Sequence, residues 1–185
     1  MKTKIIQDLS IYKTPLDFRG KSKIVVQLWW IVQATFFKLS PQFCYGWRRF
    51  LLRSFGAKIG KGVIIRPSAQ ITYPWKVIIG DNSWIGDEVV LYSLGNISIG
   101  ANTVISQRSY ICTGTHDFTK VDFSIYAKPI VIKDQCWLAT DVFVSPGVII
   151  EEGAVVGARS TVINDLESSS VYVGSPAKKI KNRID

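Results

Sequence analysis

The sequence predicts an all-β solenoid, a prism of stacked triangular coils, and three observations predict it. An aliphatic residue leads every block of six from Ile59 onward: Ile59, Ile65, Ile71, Ile79, Ile85, Leu91, Ile99, Ile105 and Ile111, then, after a gap, Ile132, Leu138, Val144, Ile150, Val156 and Val162. Two-residue slips, Val77-Ile78 and Ile97-Ser98, separate the first sets of three blocks. Small residues fill most positions four after the leader, such as Ala69, Ser83, Thr103, Ser109 and Ala154, with Trp75 and Leu166 the large exceptions. A period of six fits neither a 3.6-residue helix nor a two-residue alternation. It fits a short strand, a tight turn and another short strand, repeated so that each leader points to one axis. Three blocks close one coil, so fifteen blocks give about five coils. At roughly 4.8 Å per coil the prism is about 24 Å tall. Gly60, Gly80, Gly86, Gly100 and Gly157 follow leaders, where glycine permits positive φ or close backbone approach.

Residues 1–58 precede the repeat and differ in composition. They carry eleven Lys or Arg against Asp8 and Asp17, a balance of +9 that equals the net charge of the whole chain. The segment Ile24–Leu39 is densely apolar and reads as a helix. Its sixteen residues span about 24 Å, short of the roughly 30 Å of a bilayer core. Ser40-Pro41 ends it, and a second helix is expected over Trp47–Phe55. There Trp47, Phe50, Leu51 and Phe55 share one side and Arg48, Arg49 and Arg53 fall toward the other. Two roles suit this composition: a cap on the open end of the solenoid, with the arginines solvating its outside, or an interfacial contact with an anionic membrane. Nucleic acid is not expected as a partner, because no recognition motif accompanies the charge.

The repeat spans 59–172 and breaks once, in ICTGTHDFTKVDFSIYAKPIV between Ile111 and Ile132. Such an excursion from a rigid scaffold is usually functional. The only histidine, His116, stands at the root of this loop, which covers 117–131. The tail 173–185 turns at Gly174 and Pro176 and is basic, through Lys178, Lys179, Lys181 and Arg183; it reads either as a frayed tail or as an anion-binding one.

The remaining composition excludes whole classes. A single histidine rules out any site built from several imidazoles in one chain, and no metal is expected. Cys44, Cys112 and Cys136 form neither a disulfide framework nor a ligand set. The polar opening MKTKIIQDLS does not fit a secretory leader, so a reduced cytoplasmic compartment is expected. No nucleophile elbow supports a Ser-His-Asp hydrolase.

The repeat, together with YKTPLDFRGK, WRRFLLRSFGAKIG and YPWKVIIGD…WIGD, resembles the hexapeptide-repeat acyltransferases, specifically the colanic-acid-biosynthesis type and the nodulation, maltose and galactoside O-acetyltransferases. The resemblance covers nearly the whole chain. It implies a left-handed parallel β-helix, although parallel crossovers are generally right-handed. It implies acetyl-CoA as donor, a sugar hydroxyl of a surface polysaccharide or its lipid-linked precursor as acceptor, and a homotrimer with sites between subunits. Within TGTHD it makes His116 the general base of a direct attack, a role that suits an imidazole near neutral pH. Cys112, four residues earlier, is then a bystander rather than an acyl-enzyme nucleophile. The resemblance also implies that Trp137 and Ala139 flank the pantetheine arm, that the Thr140 backbone N–H supports the oxyanion, that Ala158 packs against the donor, and that Lys178, Lys179 and Lys181 meet its 3′-phosphate. Ala139 stands where a glycine is usual and Lys178 where an arginine is common. The asparagine that orients the histidine in the galactoside type is replaced here by Gly86-Asp87-Glu88, leaving Asp87, Glu88, Asn96 and Asp117 as candidates for that role. The zinc carbonic anhydrases of the same fold need three histidines and are excluded. A silent trimeric scaffold and an acyl-carrier-protein donor are the competing readings.

Overall fold

The computed structural model describes residues 5–184, so Lys2 and Lys4 of the basic segment lie outside it. From Lys58 the chain winds through three parallel faces. The first stacks Lys58–Ile59, Val77–Ile79, Ile97–Ile99, Ile130–Ile132 and Ile149–Ile150. The second stacks Ile64–Ile65, Trp84–Ile85, Val104–Ile105, Trp137–Leu138, Val155–Val156 and Ser170–Val173. The third stacks Gln70–Ile71, Val90–Tyr92, Tyr110–Cys112, Phe143–Val144 and Thr161–Val162. Leaders pair with leaders one coil away, as in Ile65 with Ile85 and Leu91 with Ile111. All fifteen are buried in one core. Each such side chain contributes about 1.5–3 kcal/mol before chain entropy is charged against it.

Five coils are complete and a sixth begins. Leu166 bridges to Ile150 and Tyr172 pairs with Val156, so Leu166 is itself a leader, arriving four residues after Val162 instead of six. The small residues four after a leader also gain a reason. Several are hydroxyls that tie adjacent coils: buried Ser83 donates to the Gly100 carbonyl at 2.6 Å and accepts from the Thr103 amide, and Thr103 donates to the Lys133 carbonyl at 2.8 Å. Isolated in an apolar core, these hydroxyls would cost more than they contribute; paired, they staple the corner.

The glycines after leaders serve close approach, not positive φ. A Cβ at Gly100 would lie 2.5 Å from the Asp134 amide nitrogen of the next coil. Gly100→Ala is therefore expected to lower stability by about 1–3 kcal/mol through overpacking, roughly 2–12 °C in Tm for a chain this size. Gly46 is the control, because a Cβ there meets nothing closer than 3.8 Å and the residue is helical. Gly46→Ala should leave Tm unchanged or raise it by a few degrees. Thermal melts of the two variants check both signs.

The first coil is closed by two helices, α1 (Lys23–Val32), prolonged by a π-helical turn at Gln33–Phe37, and α2 (Tyr45–Ser54). A Ser22 side-chain cap starts α1. Their orientation corrects the expectation for the arginines. Arg48 is fully buried and Trp47 and Phe50 are exposed, the reverse of arginines facing outward. A β-helix leaves the carbonyls of its terminal coil without strand partners. Arg48 Nε donates to Ile65 O at 2.6 Å, Arg49 Nη1 to Val63 O at 2.8 Å, and Arg53 Nη2 to Ile59 O at 2.7 Å. From α1 and its π turn, Trp29 Nε1 donates to Ile71 O and Gln33 Oε1 accepts from Ile71 N, both at 2.7 Å.

Candidate active site

The interruption is an ordered hairpin. After Cys112 the third face ends, Thr113 Oγ1 donates to Tyr92 O at 2.6 Å, and Gly114–His116 pairs antiparallel with Ile125–Ala127. His116 sits opposite Ile125 and is half-buried. Its Nδ1 lies 2.8 Å from the Phe123 carbonyl oxygen. A carbonyl only accepts, so this contact requires a proton on Nδ1 and leaves the Nε2 lone pair open in the neutral ring. The Phe123 ring stacks on the imidazole at 4.3 Å and 8°, and Tyr12 stands 6.2 Å away. Phe123 holds a left-handed φ of 48°, a strained value for a non-glycine residue and one that turns its carbonyl back to the ring.

The orienting group is therefore a main-chain carbonyl, which none of the four candidate side chains supplies. Among the described residues no hydrogen bond joins His116 to Asp87, Glu88, Asn96 or Asp117. Asp87 accepts from Arg66 Nε at 2.7 Å and Ser68 Oγ at 2.8 Å. Asp117 Oδ1 accepts from the Thr119 hydroxyl at 2.6 Å, which holds its carboxyl below the usual carboxylate range. Asn96 accepts from Ile130 N through its backbone, and its exposed side chain lies at a cavity of about 420 Å³ lined also by Phe18, Lys76, Ile125 and Tyr126. Directly paired residues of an antiparallel hairpin project to the same face, so His116 and Ile125 share one face of the hairpin.

One element of this site escaped the sequence reading, the strap formed by residues 5–20. Asp8 N donates to Val121 O at 2.8 Å, tying the strap to the hairpin loop. Lys76 Nζ donates to Phe18 O at 2.6 Å and also to Leu94 O, and its burial pulls the ammonium below its ordinary pKa. Trp75 Nε1 donates to Arg19 O at 2.7 Å. The strap's sequence signals were YKTPLDFRGK, read only as part of the resemblance, and Trp75, one of the two large residues in a slot otherwise kept small.

A second group gathers along the edge between the second and third faces. Trp137 is 47 % exposed, and its Nε1 donates to Ser106 Oγ at 3.0 Å. Ala139 and Thr140 follow in the corner, with Thr140 Oγ1 donating to Gln107 O at 3.1 Å. Exposed Ala158 lies one coil on, beside Arg159, whose amide donates to Thr140 O. Within one chain His116 leaves the prism after the third face while Trp137 stands on the second, so the two groups occupy different sides.

Cys112 lies near His116 in sequence, but burial raises its thiol above the ordinary value, so little of it is thiolate at neutral pH. Cys136 is buried and pushed up to about 11. The tail is a strand, not a frayed end: Lys178–Asn182 pairs antiparallel with Ser170–Val173. Lys179 is spent on Glu167 at 2.9 Å, and Arg183 donates to Gly153 O at 3.0 Å, while Lys178 and Lys181 are exposed.

No family model matches the chain. The chain is 59 % identical over 180 residues to the colanic acid biosynthesis acetyltransferase WcaF of Escherichia coli (strain K12), covering 97 % of this chain and 99 % of that protein. It is 26 % identical over 141 residues to the galactoside O-acetyltransferase of the same organism, covering 75 % and 70 %. The solved hexapeptide-repeat acetyltransferase VCA0836 of Vibrio cholerae O1 biovar eltor, complexed with acetyl coenzyme A, superposes with a TM-score of 0.80 at 23 % identity, covering 88 % and 89 % of the two chains. The shared fold is the left-handed parallel β-helix.

Proposed function

The chain belongs to the hexapeptide-repeat acetyltransferases, and from that premise we propose that it moves an acetyl group from acetyl-CoA to a sugar hydroxyl of a surface polysaccharide or its lipid-linked precursor. The observation that carries the chemistry is the hold on His116: Nδ1–H is committed to the Phe123 carbonyl, so Nε2 is the basic nitrogen.

Acetyl-CoA supplies the acetyl group as a thioester. The edge around Trp137 fits it, with a half-exposed flat ring anchored by Ser106 and small residues, Ala139 and Ala158, beside it. His116 Nε2 takes the proton of the acceptor hydroxyl as that oxygen attacks the carbonyl carbon, and the Thr140 backbone N–H donates to the oxygen that gains charge. His116 then returns the proton to the departing thiolate sulfur. The bookkeeping closes with no residue acylated, in agreement with the raised thiol of Cys112. The 3′-phosphate is assigned to Lys178 and Lys181, which are exposed, whereas Lys179 already holds Glu167. The separation of His116 from Trp137 within one chain supports a homotrimer, in which His116 of one copy meets Trp137 of its neighbour.

Calorimetric titration of the full chain with acetyl-CoA tests the donor. Saturable binding at about one site per chain is expected, weakened about tenfold, ~1.4 kcal/mol, by Trp137→Ala. Absence of binding at millimolar ligand overturns the donor assignment. Cys112→Ser is expected to leave the transfer rate within about twofold; loss of the rate together with a trapped acyl-protein would replace direct attack by an acyl-enzyme.

A further inference from the structure

Between Asp17 and Asp81 the chain has no acidic residue and eleven Lys or Arg. Arg48, Arg49 and Arg53 all donate to carbonyls of the first coil, and of the three only Arg53 stays exposed. The outer surface of the helical cap is instead apolar. Ile24, Leu28 and Ile31 recur at helical spacing on α1 and are 80 %, 50 % and 59 % exposed. Leu39 at 78 % and Phe43 at 79 % continue the surface across the turn to α2, where Phe50 is 57 % exposed. Lys21, Lys23 and Lys38, all exposed, flank it at both ends of the first helical stretch.

We propose that this end of the prism is a docking surface for an anionic lipid bilayer, lying in the headgroup boundary with α1 parallel to the membrane plane. The inference rests on the proposed lipid-borne acceptor for its purpose and on the helices alone for its physics. No helix among the described residues is long and apolar enough to cross a membrane, so the contact is interfacial. Charge selects the occupant. Two copies meeting through this face would set Lys21, Lys23 and Lys38 against the same lysines with Asp17 the one carboxylate beside them, whereas anionic headgroups supply the missing countercharge and acyl chains accept the aliphatics. A nucleic acid would satisfy the lysines and leave Ile24, Leu28 and Leu39 without an apolar partner. Trp30 and Trp47, 41 % and 42 % exposed, stand at the same end and report on it.

The test is sedimentation of the full chain with phosphatidylcholine vesicles, with and without phosphatidylglycerol. Binding to the mixed vesicles is expected, with a blue shift in tryptophan emission, and it should weaken at least tenfold when phosphatidylglycerol is left out or salt is raised. Ile31→Asp with Leu39→Asp should abolish sedimentation while leaving the melting temperature unchanged, since both side chains are exposed. Vesicle binding equal in variant and parent, no binding by the parent, a smaller oligomer in the variant, or tighter retention by duplex DNA than by vesicles would each overturn the proposal. An acetyl-CoA titration on the same samples separates this outcome from failure of the donor assignment.

Discussion

His116→Ala is expected to reduce acetyl transfer by a factor of about 10²–10⁴, the range lost when a positioned general base is removed. Donor affinity should change far less than the rate, because the imidazole moves the proton of the acceptor hydroxyl and is not one of the groups assigned to hold the donor. The loss should therefore appear in kcat and not in the dissociation constant for acetyl-CoA. A companion variant, Phe123→Gly, keeps the carbonyl and relieves a φ of 48° but deletes the stacked ring. It should retain more activity than His116→Ala and lose some to the freed imidazole. Steady-state rates and calorimetry on the same preparations check both. An alanine variant with full activity would remove His116 from the mechanism, and one that no longer binds acetyl-CoA would make it a binding residue.

The second large effect is on stability. Arg48→Met preserves much of the side-chain volume but removes every donor. Arg48 Nε reaches Ile65 O, Nη1 reaches Ser40 Oγ at 2.8 Å and Pro41 O at 2.9 Å, and Nη2 reaches Gln42 O at 2.5 Å. Its guanidinium is wholly buried, and that burial lowers its pKa from the ordinary arginine value. The ring of Tyr45 lies 5.1 Å from its central carbon. Breaking one side of a buried charged network costs about 3–5 kcal/mol, because the carbonyls stay dry and lose their donors. For a chain of this length that is roughly 6–20 °C in Tm. Arg53→Ala, with its exposed side chain, should cost far less. A loss below about 1 kcal/mol for Arg48→Met would show that water replaces the guanidinium, and that the cap is held by apolar packing of Trp29, Phe37 and Leu52 instead.

The core was readable because one rule, an aliphatic every sixth residue, decides which side chains face the axis, and every leader from Ile59 to Val162 obeys it. The sixth coil was hidden because the chain shortens the spacing once, from Val162 to Leu166. The corners were hidden for another reason. Asn82, Glu88, Asn102, Arg108, Gln135, Asp141 and Arg159, each three residues after a leader, hold φ between 54° and 60°. Only the asparagines and the aspartate signal such a conformation locally; the stacking of coils imposes it on the rest. For α2, helical spacing grouped Trp47, Phe50, Leu51 and Phe55 on one side, whereas the structure buries Leu51 and packs Phe55 on the core while Trp47 and Phe50 stay exposed. That was decided by unpaired carbonyls of the first coil, which have no signature in the residues that carry them. The same limit applied to the site. His116 was visible as the single histidine at the only break in the repeat, whereas its partner is a main-chain oxygen that any residue at position 123 would possess.

The two ends of the prism bear on a hazard the fold carries by construction. Every coil presents the next with a ladder of amides and carbonyls, and nothing in the repeat itself says where stacking stops, so bare ends of two molecules could join and grow into a fibre. Here the ends are sealed by different means. The arginines of α2 plug the first coil from within, consuming the acceptors an incoming strand would need. The final strand, Lys178–Asn182, has no partner on its outer edge among the described residues but carries exposed Lys178 and Lys181, so an identical edge meets it with like charge. A chain shortened to the repeat alone should pass from discrete particles to elongated polymers, with the arginine-stripped end as the growing tip.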